Sequence, residues 1–115
     1  MKHFTLALPL LFLAATAAAQ EKLADCSVTS NGAVEFEGPC GFLPDAGGTF
    51  SIASPGGEGP LYGEISVITV FVVAPGEAEV SGLTTAGINS RWGSAQRSTT
   101  DPACWTGSDF EVCAY

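Results

Sequence analysis

From Cys26 onward, no ten-residue window keeps a good 3.6-residue apolar period, while short alternating runs are cut repeatedly by turn-forming residues. Cys26–Thr29 and Ala33–Glu37 flank Ser30-Asn31-Gly32, and Asn-Gly is the strongest short hairpin signal. Gly38, Pro39, Gly41, Pro44, Gly47 and Gly48 mark a loop. Thr49–Ala53 alternates again, with Phe50 and Ile52 inward, and Ser54–Pro60 is a turn or tip. Leu61–Val73 is the most apolar stretch. Ile65, Val67, Phe71 and Val73 share one of its faces; Ile68, Val70 and Val72 share the other. Apolar residues on both faces predict a central strand covered on both sides, or one that bends between two sheets. Ala74-Pro75-Gly76 turns the chain into Glu77–Leu83, with Ala78, Val80 and Gly82 inward. Thr84–Gly87 turns it into Ile88–Ser98, and a last hairpin runs from Cys104 to Cys113. The expected fold is all-β: a small antiparallel sandwich or closed barrel of six to eight strands.

The N-terminus reads differently. Lys2 and His3 give a short positive start, Phe4–Ala15 is apolar, and Ala17-Ala18-Ala19 places small residues before Gln20. This is the layout of a secretory signal peptide, too short to span a membrane. Residues 1–19 are therefore expected to be the signal and residues 20–115 a single β domain. Leu23-Ala24-Asp25-Cys26 has some likeness to a lipoprotein processing site, but Asp25 suits it poorly and lipidating Cys26 leaves three cysteines.

Four cysteines in a short exported domain predict two disulfides. Around a turn at Ser108-Asp109, Cys104 and Cys113 fall opposite each other, near the ~5.5 Å Cα separation that a bridge prefers. Cys26 and Cys40 then pair, closing a loop of about 15 residues worth roughly 3 kcal/mol in the chain-entropy model. The next best pairing crosses these partners and ties the N-terminal strand to the C-terminal hairpin. The expected location is the periplasm or the extracellular medium.

Composition removes most chemistries. The full chain carries a formal charge of −8. After cleavage, three bases (Lys22, Arg91 and Arg97) face all 12 acids, a side-chain charge of −9, and no His remains. Nucleic-acid binding needs a basic patch, which this balance opposes. Without His, Ser-His-Asp and Cys-His nucleophile systems and His-ligated metal sites cannot be built. Lys22 is expected to sit in a frayed N-terminus of the mature chain, and no phosphate-binding or EF-hand loop occurs. Carboxylate pairs remain, but Glu35/Glu37 and Glu77/Glu79 read as charges on the wet face of a half-buried sheet. The chain is expected to be no enzyme, with no cofactor, no metal and no membrane insertion. An outer-membrane barrel is excluded on spans too few and too short.

The C-terminal third holds what a simple β-core does not require. In an extended strand Arg91, Gly93, Ala95 and Arg97 share one face and Trp92 the other. Two guanidiniums over a Gly/Ala gap can grip a carboxylate or phosphate. Arg91, Trp92 and Arg97 are therefore the candidate binding residues. The competing reading makes each Arg a surface ion pair and Trp92 and Trp105 core anchors. The run Gly87–Arg97, with Asp101-Pro102-Ala103-Cys104-Trp105 and Asp109–Tyr115, resembles short exported proteins of Gram-negative bacteria that have no assigned activity. The resemblance covers the last quarter of the chain and implies an envelope or secreted location. Small periplasmic lysozyme-inhibitor families share size, export and disulfides, but no Tyr follows Ser81-Gly82 at the spacing of their S-G-x-x-Y pattern. The functional expectation is a non-catalytic binding or inhibitory module whose acidity steers it to a cationic protein or peptide. The alternative is a structural envelope component with no discrete ligand site.

Overall fold

The computed structural model describes residues 20–115; the expected signal peptide, residues 1–19, lies outside the described residues. Among the described residues eight strands are formed: β1 (Lys22–Ser30), β2 (Ala33–Pro44), β3 (Phe50–Ala53), β4 (Ile65–Ala74), β5 (Glu77–Thr84), β6 (Asn89–Arg97), β7 (Cys104–Gly107) and β8 (Phe110–Ala114). Each pairs antiparallel with the next, and β8 returns to pair with β1. The architecture is thus an up-and-down closed barrel, which decides between the two expected architectures. Short 3₁₀ turns at Ala46–Gly48 and Pro55–Gly57 are the only helical pieces among the described residues. No helix among them is long and apolar enough to cross a membrane.

The local signals explain the hairpins. Asn31 and Gly32 take φ of 51° and 78°, so both central residues of the β1–β2 turn lie in the left-handed region that matches strand twist. Pro75 and Gly76, the latter at φ 72°, connect β4 to β5. Cys104 and Cys113 sit directly opposite one another on β7 and β8. The Ala114 N–H donates to the Ala103 carbonyl, which makes Cys104/Cys113 a non-hydrogen-bonded pair, where side chains approach most closely. Their Cα atoms are 4.0 Å apart and bridged. Cys26 and Cys40 bridge diagonally across β1 and β2, Cα atoms 5.8 Å apart, with Gly38 opposite Cys26. Both expected pairings are present, and two structural disulfides place the chain in an oxidising, non-cytoplasmic compartment.

Two expectations are corrected. Gly38–Pro44 is strand and not loop, because both prolines occupy positions that need no N–H. Pro39 lies opposite Asp25, whose N–H and C=O are both bonded to Tyr115. Pro44 lies opposite Phe50 at a pair flanked by the Asp45 N–H to Thr49 carbonyl bond, again a site without its own ladder bond. The second correction concerns β4. Ile68 and Val70 are fully buried, but Phe71 and Val73 are 57% and 54% exposed. A barrel has one interior, so closure through β8 and β1 leaves no second layer to cover the outer face.

The core lies inside the barrel. Val28, Ile52, Ile68, Val70, Val80 and Val112 are fully buried, joined by Phe50, Trp105, Phe110 and the Cys26–Cys40 bridge. The outer face carries short polar cross-strand pairs: Ser51 with Thr69 at 2.9 Å, Ser94 with Glu79 at 2.9 Å, and Thr106 with Glu111 at 2.8 Å. Eight strands equal the smallest outer-membrane barrels, so strand number does not exclude that class. The interior is apolar, unlike the polar lumen of an outer-membrane barrel, while the outer face mixes polar side chains with exposed Phe71, Val73 and Leu83.

Candidate functional site

Alternating strand direction gives the barrel two ends. One is formed where β1, β3, β5 and β7 finish, the other where they begin; these are the upper and lower mouths. A cavity of about 310 Å³ opens at the upper mouth, lined by Ser30, Glu35, Tyr62, Arg91, Trp92, Asp109 and Phe110. One of about 320 Å³ opens at the lower mouth, where Arg97 stands among Phe42, Phe50, Val72 and Trp105.

The candidate residues Arg91, Trp92 and Arg97 do not form one patch. In the β5–β6 ladder Val80 faces Gly93 and Ser81 faces Arg91, so Trp92 is the extra residue of a bulge. Gly93 absorbs the distortion at φ 118°. The bulge shifts the alternation by one. Arg91 stays at the rim beside inward Trp92, Ala95 turns in, and Arg97 follows Ala95 to the lower mouth. Six residues of strand, about 20 Å, separate the two backbone positions, and the side chains line opposite mouths. They cannot grip one anion.

Trp92 is half-buried. Its ring meets Phe110 edge-on, centroids 5.7 Å apart, and lies over Gly82. A Cβ at Gly82 would come within 2.9 Å of the indole Nε1, so only glycine leaves room for this placement. Trp105 is a core anchor at 5% exposure. Arg97 spans its face, the guanidinium carbon 5.6 Å from the ring centroid, and its Nε donates to the Pro102 carbonyl at 2.8 Å.

Of the other members of the upper mouth, the sequence marks Glu35 only as a charge on a wet sheet face, and it does not mark Tyr62 or Asp109. Tyr62 stacks on Phe36, centroids 6.1 Å apart. Burial, then the Glu35 carboxylate, raises its phenol pKa, so the hydroxyl stays protonated at neutral pH. Asp109 is brought to the mouth by the Asn31 N–H, which donates to its carbonyl at 2.7 Å and ties the β7–β8 turn to the β1–β2 turn. Glu35 and Asp109 are both exposed. No local signal marks these residues as neighbours, because only barrel closure joins β8 to β1. Glu111 lies close to Cys104 and Cys113, but disulfide sulfurs are not thiolate ligands, so this trio makes no metal centre.

No protein-family model matches the chain, and neither does any curated protein or solved structure.

Proposed function

We propose that this chain is an exported, non-catalytic binding module that engages a cationic protein or peptide through the upper mouth of its barrel. The observation that carries this reading is the meeting of Glu35 and Asp109 with the rings of Tyr62 and Trp92 around one cavity. Carboxylates attract a Lys or Arg side chain, and the aromatic faces add cation–π attraction. Arg91 at the same rim disfavours a free small cation and favours a peptide segment that also offers carbonyl or carboxylate oxygens. The side-chain charge of −9 on the mature chain steers such a partner inward. Export to the periplasm or the medium belongs to the same reading.

A catalytic role is not favoured. The two mouth carboxylates are exposed, and exposure does not create the desolvated acid that glycoside hydrolysis or general acid catalysis requires. The apolar interior and the polar cross-strand pairs on the outer face likewise support a domain in contact with water after signal cleavage.

The test is a pull-down from periplasmic extract at low and high salt, comparing the native protein with Glu35→Gln/Asp109→Asn. Partner recovery should fall at high salt and drop about tenfold or more in the double variant, the effect of losing charge-assisted bonds. Equal recovery by both proteins, or no partner at either salt, overturns the reading.

A structural envelope component is the second reading, favoured by the outer face of β4 and β5. Phe71 and Val73 on β4 and Leu83 on β5 are 57%, 54% and 38% exposed there, apolar side chains the barrel itself does not use. It predicts self-association by sedimentation that Phe71→Ser/Val73→Thr abolishes.

A further inference from the structure

The two mouths differ in sign. The upper one holds two carboxylates and one guanidinium. Among the described residues lining the lower one, Arg97 alone carries charge. We propose that the lower mouth binds a small amphiphilic carboxylate, one carboxylate group on a short apolar body.

The walls suit the apolar body. Phe42 and Phe50 stack with centroids 4.9 Å apart, and Val72 and Trp105 complete the lining. Thr49 holds this wall in place, its Oγ1 accepting from the Val72 N–H at 2.9 Å. A cavity of about 320 Å³ lies at the small end of the ~300–1,000 Å³ range of ligand pockets. Arg97 suits the carboxylate. Its Nε is held by the Pro102 carbonyl and its guanidinium carbon lies over the Trp105 ring, so the side chain is positioned before a ligand arrives. The two Nη groups then present a flat pair of donors, the geometry a carboxylate accepts bidentately. The nearest acid in sequence, Asp101, is already held by the Tyr115 hydroxyl and the Ala103 N–H. An inorganic anion would use the guanidinium but leave the apolar walls in water. An uncharged apolar molecule would use the walls but leave the guanidinium unanswered. A molecule with both parts satisfies both.

The experiment titrates the purified exported protein with octanoate, 1-octanol and acetate, following indole and amide resonances by NMR. Octanoate should saturably shift the Trp105 indole and the Gly47, Gly48 and Gly76 amides while leaving the Trp92 indole in place. Octanol and acetate should each bind at least about tenfold more weakly. Arg97→Gln should lower octanoate affinity to that of octanol without changing octanol binding. Equal affinity of octanoate and octanol for the native protein overturns the proposal, whatever the variant does. So do saturable shifts centred on Trp92, or no saturable shift at all.

Discussion

Replacing Gly82 by Ala should destabilise the barrel through a single neighbour, Trp92. The added Cβ would lie 2.9 Å from the indole Nε1 and 3.0 Å from Cε2 and Cζ2. Carbon atoms pack best at about 3.5–4.0 Å, so the ring must retreat by about 0.5–1 Å. Retreat disturbs its edge-on contact with Phe110, and overpacking of this kind costs about 1–3 kcal/mol. Removing a strand glycine returns about 0.5–1 kcal/mol through the unfolded chain. The net loss is therefore about 1–2 kcal/mol. For a domain of this size that is a fall in Tm of about 5–15 °C. Thermal and urea unfolding, followed by circular dichroism, measure it. Trp92 emission should shift to the red as the ring moves towards the open mouth, with Trp105 a constant background. The sharper control is Trp92→Leu, which removes the three clashing atoms. In that background Gly82→Ala should be neutral or slightly stabilising, a coupling that a double-mutant cycle isolates. If Gly82→Ala costs the same with and without Trp92, the steric reasoning fails.

Gly107→Ala places a Cβ into the ring of Phe110, which lines the upper mouth but is only 6% exposed, and the overlap is deeper than the one at Gly82. It should cost more than Gly82→Ala, about 3 kcal/mol, read as a larger fall in urea midpoint. Thr49→Val keeps the shape but leaves the Val72 N–H without its acceptor, so chemical unfolding should show a loss of about 1–2 kcal/mol. Cys26→Ala/Cys40→Ala opens a loop of about 15 residues and should lower stability by about 3 kcal/mol, plus the loss of buried packing at both positions. An unchanged urea midpoint counts against that account. The Tyr115 hydroxyl donates to the Asp101 carboxylate, and this bond, with the nearby Asp101 and Glu111 charges, raises the Tyr115 pKa. The folded state thus holds that proton more tightly than the unfolded chain. Its contribution is complete below the ordinary tyrosine value of about 10 and is lost as pH rises through the higher folded value. Urea midpoints across that alkaline range should fall faster for the native protein than for Tyr115→Phe.

What the sequence determined by itself was local. Asn31-Gly32 and Pro75-Gly76 force turns whatever surrounds them, because their backbone preferences are intrinsic. Cys104 and Cys113 pair because a short turn alone brings them opposite, and Cys26–Cys40 follows by elimination. Alternation located most of the strands and inward residues such as Phe50, Ile52, Ala78 and Val80. Tertiary structure decided the rest. Whether Pro39 and Pro44 break a strand depends on which residues of a partner strand lie opposite them, and that register is absent from the segment itself. Whether the outer side of β4 is covered depends on closure between β1 and β8, the strands farthest apart in the chain. The bulge at Trp92 put Arg91 and Arg97 on different faces of the sheet, since one unpaired residue inverts every side chain beyond it, while the six residues between them already set them at opposite ends. The upper mouth joins Glu35, Tyr62, Trp92 and Asp109 from four parts of the chain. Their proximity is a property of the closed cylinder, because side chains distant in sequence meet only where strand pairing brings their backbones around the same rim.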